Sequence, residues 1–401
     1  MSTDYEFKTL RLKARNERRL MAGHQWVYSN EIDVAVSPLA GFEAGDSVTI
    51  EAANGKAIGT GYINPHTLLS ARLVSRDAKH PFSASLLVHR INVALALREK
   101  LFDKPYYRLV FGEADGLPGL VVDRYDNVLV AQITTAGMER IRDDIAAALD
   151  KVIKPLALLW RNDTGSRELE GLPSYVEAAL GVVPATVAVI EGDARFHIDP
   201  IQGQKTGWFY DQRDNRERLG RYAKGARVLD LFSYAGAWGI RAVQSGASEA
   251  VCVDASAGAI EQVEANAELN GLTGRVAGLR GDVFEVLKNL RAERERFDIV
   301  ITDPPAFIKR RKDFKEGRLA YRRLNQMAMQ VMSKDGILVA CSCSHHLPRE
   351  ELQTVVFESA RHVDRDLQVL EHGYQAPDHP VHPGIPETSY LKTITSRVVS
   401  R

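Results

Sequence analysis

From residue 227 onward the chain repeats one pattern: a run of apolar residues, a turn marked by glycine, proline or an acid, and then a segment with helical spacing of its apolar positions. Residues 228–232 read as a short buried strand. Gly236 and Gly239 let the backbone turn tightly and approach a ligand, and the chain from Ala237 onward winds as a helix. Further strands are expected at 249–253, running into Asp254; at 275–279, running into Gly281 and Asp282; at 297–302, running into Asp303-Pro304-Pro305; and at 336–342, running into Cys343. A helix at 258–270, closed by Gly271, separates the second and third strands. The two prolines after Asp303 are expected to hold the backbone extended at the sheet edge. Segments 367–373 and 390–399 close the pattern as a hairpin. Strand and helix in alternation predict an α/β domain with a mostly parallel sheet.

Upstream the period changes. Short alternating segments at 47–50 and 57–63, punctuated by Gly41, Gly45, Gly55, Gly59 and Gly61 at hairpin-like spacing, predict a small β-rich module. A helix at 84–102 follows, then a hairpin of 119–124 and 128–134 turning at Asp126-Asn127. Next come a helix at 138–149 with Ile141, Ile145, Ala148 and Leu149 on one face, a strand at 155–160, and two short strands at 186–190 and 195–198. The division is therefore 1–75 β-rich, 76–190 connecting α+β, and 191–401 α/β. A chain of 401 residues is long enough for that many cores.

Charge changes the picture only locally. Lys plus Arg and Asp plus Glu both total 52, so net charge favours no polyanionic partner. Yet Lys8, Arg11, Lys13, Arg15, Arg18 and Arg19 precede Trp26 and Tyr28, and Lys309, Arg310, Arg311, Lys312, Lys315, Arg318, Arg322 and Arg323 follow the proline pair. Such clusters grip phosphates, with aromatics to stack on bases, or else form solvated faces, the second balanced by Asp313 and Glu316. The three cysteines are too few and too closely placed for a disulfide framework, and no apolar run approaches the roughly 18 residues of a membrane span. A cytoplasmic protein is expected.

Ligands of an open parallel sheet bind beyond the carboxyl ends of its strands, so Gly236, Asp254 and Asp282 converge on one crevice. Asp254 stands 24 positions after Asp230 and can accept hydrogen bonds from ribose hydroxyls. Each acid alone also suits a helix cap. The turn Asp230-x-Phe-x-x-x-Gly236-x-x-Gly239 lacks the G-x-G-x-x-G fingerprint of nicotinamide sites. Residues 204–216, QKTGWFYDQRDNR, are dense in polar and aromatic side chains, which fits a functional segment or a helix cap region packed on the sheet. Cys341-x-Cys343-x-His345-His346 offers thiolate and imidazole to zinc, but a separate ligand pair at finger-like spacing is missing, and no metal is expected.

LKARNERRLMAGHQWVYSNEI followed by GDSVTIEAANGKAIGTGYI resembles the PUA domain, an RNA-binding pseudo-barrel. DLFSYAGAWG, VDAS, GDVFEVL, TDPPAF and SCS, in this order, resemble the class I S-adenosylmethionine-dependent methyltransferases. With QKTGWFYDQRDNR and EADGLPGLVVDRY added, the chain is similar end to end to the RlmI family, which methylates C5 of a cytosine in 23S ribosomal RNA. The resemblance implies a Rossmann-like catalytic domain with a seven-stranded, mostly parallel sheet and a closing antiparallel hairpin. It also implies S-adenosylmethionine as cofactor, held by Asp254 at the ribose, Asp282 at the adenine amine, and the Asp230 to Gly239 loop, with Phe232 and Tyr234, at the methionine end. The expected partner is 23S ribosomal RNA or a large-subunit precursor; a homodimer stays open.

C5 of cytosine is a weak nucleophile, so a thiolate must first add at C6. Cys343 takes that role in the resemblance, and Cys341 packs. Asp303 is expected at the cytosine N3 or amino edge and Phe307 on the ring face, with a cap and a core residue as the plainer readings. Arg15, Arg18, Arg19, Lys309, Arg310 and Arg311 are the expected RNA contacts. The commonest RNA 5-methylcytosine enzymes carry a second cysteine where this chain has Pro305-Ala306, which leaves the residue that promotes product release unassigned. Two other readings are carried: another base, such as uridine at C5, or a nonenzymatic RNA-binding or ribosome assembly factor that retains the fold.

Overall fold

The computed structural model describes residues 5–77 and 80–401, which leaves the first four residues of the N-terminal stretch outside. Contacts group the chain into two units.

The first unit comprises Met1–Val187, Asp199–Trp208 and Pro377–Thr388. One of its sheets has the order Lys8–Arg11, Asp46–Glu51, Ala57–Ile63, Leu69–Ser75, Trp26–Tyr28. It closes over Leu10, Val27, Val48, Ile50, Ile63 and Leu73. Gly59 and Gly61 are not turn residues as the spacing suggests. They lie inside a strand, where a Cβ would collide with the carbonyls of Ser75 and Arg72. The turn itself is at Gly55, whose φ is +86°. A second five-stranded sheet runs Tyr175–Gly181, Ala157–Asn162, Val128–Ile133, Leu120–Tyr125, Tyr106–Phe111. Its two edge strands, Tyr175–Gly181 and Tyr106–Phe111, are additions to the elements expected from sequence. The single helix expected at 138–149 is two, Ala136–Arg140 and Arg142–Ile153, because Ile141 departs from helical geometry at φ −112°. Fully buried Tyr62 belongs to the first sheet and packs in the core of the second, donating to Pro118 O at 2.6 Å. Asp378, distant in sequence, is part of this unit too: its carboxylate accepts from Arg108 N at 2.9 Å and its carbonyl from Arg98 at 2.7 Å.

The second unit, Ala188–Ile198, Phe209–Ala376 and Ser389–Arg401, carries the repeating pattern. Its strands are β1 (Arg227–Leu231), β2 (Glu249–Asp254), β3 (Val276–Arg280), β4 (Phe297–Thr302), β5 (Met332–Ser342), β6 (Arg365–Gly373) and β7 (Lys392–Ser400). They form one sheet in the order β3-β2-β1-β4-β5-β7-β6, parallel except for β7, which runs antiparallel to both neighbours. The α/β class, the seven-stranded sheet and the closing hairpin are those expected. β4 is an interior strand, so the two prolines sit at its carboxyl end rather than on an outer edge. Helices α1 (Ala237–Gln244), α2 (Ala257–Leu269), α3 (Val283–Ala292), α4 (Phe314–Gln330) and α5 (Arg349–His362) join the strands. Leu229, Val300 and Leu338 from the sheet meet Tyr321, Leu324 and Val355 from α4 and α5 in one core. That core fixes the carboxyl ends of β1, β2, β4 and β5.

Candidate active site at the carboxyl ends of the strands

The chain leaves β1 through a loop that only strong local bonding can hold. Phe232 and Tyr234 have φ of 62° and 47°, a region that costs a residue with a Cβ about 1 kcal/mol or more. Ser233 N donates to Val253 O at 3.0 Å, Tyr234 N to Asp254 Oδ2 at 3.0 Å, and Gly236 N to Ser233 O at 2.9 Å. Gly236, at φ 78°, then starts α1. Gly239 is required by close packing, since a Cβ there would stand 2.5 Å from Cys252 Sγ.

Beneath this loop Asp230 is fully buried. Its Oδ2 accepts from Gly239 N at 3.1 Å, while Oδ1 has no partner. Burial pushes its pKa up to about 7; the Gly239 amide opposes the rise, and the charges of Asp303 and Asp254 add to it. A buried acceptor with a spare oxygen fits an ammonium group such as that of the cofactor's methionine end. Asp254 is partly exposed and accepts Ser256 N at 2.9 Å besides the Tyr234 amide. Asp282 is exposed and caps α3, accepting Phe284 N at 2.9 Å and Glu285 N at 3.2 Å through one oxygen. Both acids thus cap backbone and keep acceptor capacity, and Asp254 does so in contact with the loop.

Asp303 follows β4. Its two oxygens accept from Gln212 Nε2 at 3.1 and 3.0 Å, and Oδ2 also from Trp238 Nε1 at 3.1 Å. Burial pushes its pKa up to about 6, with Trp238, Arg216 and Gln212 holding it down and Asp211 raising it. Arg216 itself forms a buried pair with Glu191 at 2.6 Å. Phe307 meets Phe232 edge-on at 6.5 Å and Tyr321 at 4.8 Å, partly buried against the core. Cys343, just past β5, is partly exposed, with Sγ 4.0 Å from Pro304 O. Cys341 is fully buried against Thr393 Oγ1 at 3.5 Å, and burial raises its pKa well above the ordinary thiol value. Of the two thiols on this strand end, only Cys343 is open to a reactant. Tyr321 OH bridges the hydroxyls of Ser342 and Ser344 at 2.9 Å each, fixing the backbone on both sides of Cys343.

The structure therefore gathers Asp230, Phe232, Tyr234, Gly236, Gly239 and Asp254 about one loop, and Asp303, Phe307 and Cys343 about the neighbouring strand ends. Gln212, Trp238, Tyr321 and Lys392 complete the second group without having been singled out from sequence. The first two lie in motifs already suspect, in 204–216 and in the glycine turn; Tyr321 and Lys392 carry no local signal.

The basic residues divide. Arg19 is occupied internally by Glu31 at 2.7 Å, Trp26 O and the Tyr28 ring, whereas Arg15 and Arg18 face solvent. Lys309, Arg310 and Arg311 are exposed; Arg310 pairs with Asp313 at 3.0 Å, and Arg318 is taken by Glu351 and Glu358. Arg311 joins Phe314, His345, His346, Pro348 and Glu351 around a cleft of about 510 Å³. Among the described residues no group of three or more His, Cys, Asp or Glu is placed to hold a metal ion, and no helix is long and apolar enough to cross a membrane.

Residues 173–393 match a family model described as S-adenosylmethionine-dependent methyltransferase, and residues 10–76 match a PUA-like domain. A ribosomal RNA large subunit methyltransferase I from Shewanella denitrificans is 35% identical over 394 residues, covering 97% of this chain and 99% of the relative. A structure described as a SAM-dependent methyltransferase from Streptococcus mutans superposes with a TM-score of 0.81 at 22% identity, over 97% of this chain and 99% of that one. Another methyltransferase, solved in complex with SAH, does so at 0.83 with the same identity and coverage. The orphaned Asp230 oxygen, the left-handed loop and the acids after β2 and β3 fit that shared cofactor, and the chain belongs to the S-adenosylmethionine-dependent methyltransferases, in the RlmI family, with an N-terminal PUA-like domain.

Proposed function

We propose that this protein methylates C5 of a cytosine in 23S ribosomal RNA, in the cytoplasm, through a covalent adduct between Cys343 and C6. The observation that carries the reading is the position of Cys343, partly exposed with Sγ 4.0 Å from the carbonyl of Pro304, the residue after Asp303, at a strand end whose other thiol is sealed in the core. The relatives named as large-subunit rRNA methyltransferases supply the substrate class. Bound S-adenosylmethionine supplies an electrophilic methyl group. Asp230 would take the ammonium of its methionine end, Asp254 the ribose and Asp282 the adenine amine, with Phe232 and Tyr234 shaping the pocket.

The Cys343 thiolate adds to C6, forming a C–S bond and making C5 electron-rich. C5 bonds to the methyl carbon as the methyl–sulfonium bond breaks and leaves a neutral thioether; the C5 proton then goes to a base, and the C6–S bond breaks to return the Cys343 thiolate. Asp303, fixed by Gln212 and Trp238, meets the N3 and amino edge of the base, and Phe307 its face. Arg15, Arg18, Lys309 and Arg311 hold backbone phosphates; charge reversal at Lys309 and Arg311 should weaken RNA binding and flatten its salt dependence.

Unmodified large-subunit rRNA and radiolabelled cofactor test the reading. Label should reach RNA with wild type and Cys341→Ala but not with Cys343→Ala, and mass spectrometry should place it on cytosine C5. Transfer by Cys343→Ala would remove the covalent mechanism, label on uridine would replace the substrate, and no transfer to naked RNA or subunits would favour a binding or assembly factor.

A further inference from the structure

We propose that Lys392 is a positioning residue, the counter-ion that holds Cys343 as a thiolate. The proposal rests on the reading of Cys343 as nucleophile and adds what makes that thiol reactive. An ordinary thiol is only a few per cent ionised at neutral pH, so a nucleophilic cysteine needs a cation or a helix N-terminus beside it.

The geometry supplies the cation. Lys392 opens β7 and pairs with Ser342 across the antiparallel ladder, one residue before Cys343. Its side chain is buried, only 7% exposed, and its ammonium donates to Ser344 O at 2.6 Å, one residue after Cys343. Lys392 therefore spans from the partner position of Ser342 to the carbonyl of Ser344, the two residues that flank Cys343. A surface lysine would reach for water; this one is turned into the strand end.

The groups around it act in opposed directions. Burial lowers the Lys392 pKa to about 8; the Cys343 charge acts to raise it, and Arg349, the first residue of α5, to lower it. The coupling is mutual: a thiolate that favours the ammonium is favoured by it to the same extent. With a pKa near 8 the amine is mostly charged at neutral pH and supports the thiolate there. Of the other groups here, Tyr321 is a buried phenol with its pKa raised, and Cys341 is a sealed thiol whose ionisation the Asp303 carboxylate opposes.

The test is the pH profile of Cys343 alkylation by iodoacetamide in the full-length protein without RNA, read from fragment ions that separate Cys343 from Cys341. Lys392→Gln keeps a donor for Ser344 O and removes the charge. It should move the midpoint of the profile upward by about a unit, so that alkylation at pH 7 slows about tenfold. Lys392→Arg keeps the charge and should keep the wild-type midpoint or lower it. A Gln profile superimposed on wild type overturns the proposal. Should the Gln variant fail to fold, an Arg variant with its midpoint raised overturns it equally. Neither result touches the nucleophile itself: methyl transfer by Cys343→Ala would refute that reading whatever the alkylation profile shows.

Discussion

The two halves of the site are built from bonds of different reach. On the cofactor side, around β1 and β2, the decisive contacts are between close neighbours and involve backbone amides: Gly239 N to Asp230 spans 9 positions and Tyr234 N to Asp254 spans 20. On the side of β4 and β5, side chains do the holding over long spans: Trp238 to Asp303 covers 65 positions, Gln212 to Asp303 covers 91, and Lys392 to Ser344 covers 48. A loop that organises itself can be read from its own sequence. A constellation assembled by the whole sheet cannot, and it should fail when remote residues are changed.

The largest effect tests that remote dependence. Arg216→Met leaves buried Glu191 with only the longer contact to Arg241, at 3.9 Å, and should cost about 3–5 kcal/mol of stability in denaturant unfolding. It also removes a charge that steadies Asp303. A loss under about 1 kcal/mol would mean the pair is dispensable and the two halves are held alike.

Asp230→Asn sharpens the comparison from the cofactor side. A carboxyl whose folded pKa is raised from its ordinary value to about 7 binds its proton more tightly when folded, so its ionisation opposes folding. The cost is absent below about pH 4, grows between pH 4 and 7, and is full above that. The Asn variant should therefore be more stable than wild type by about 2–4 kcal/mol at pH 8 and about equal at pH 4, while binding cofactor more weakly. Equal stability at both pH values would deny that Asp230 is held ionised against its burial.

A smaller effect comes from packing. Gly239→Ala drives a methyl group against Cys252 Sγ and should cost about 1–3 kcal/mol, part of it regained when Cys252→Ala is added. Thermal melts of the two singles and the double measure it; purely additive losses would place the strain elsewhere. Smallest is Trp238→Phe, which removes one donor to the Asp303 carboxylate, worth about 0.5–1.5 kcal/mol. Transfer should fall about two- to tenfold, more at pH 6 than at pH 8, because Asp303 then protonates more readily. A loss equal at both pH values would separate the tryptophan from the ionisation of Asp303.

The same contrast explains how much was legible in the chain. Apolar runs ending in Asp254, Asp282, Asp303 and Cys343 announced the strands of the catalytic sheet, and Gly236 and Gly239 the loop, because each feature is local. β4 as an interior strand was not legible, since its neighbours are set by chain crossovers and not by its own residues. Gly59 and Gly61 looked like turns, for nothing nearby reveals that the Ser75 and Arg72 carbonyls approach them. Arg19 looked like one more phosphate contact until Glu31 was seen to claim it. Tyr321 and Lys392 lie in ordinary helix and strand sequence and gain meaning only where α4 and β7 reach Ser342 and Ser344.

The central claim is that the open thiol just past β5, and not the sealed one two residues earlier, bonds to the target base. RNA carrying 5-fluorocytidine at the target tests it most directly, because a fluorine at C5 cannot leave as a proton does and the C6 adduct persists. Incubated with the cofactor, the protein should form a denaturation-resistant RNA adduct that peptide mapping places on Cys343, and Cys343→Ala should form none. An adduct on Cys341, or full methyl transfer with no adduct, would contradict the account.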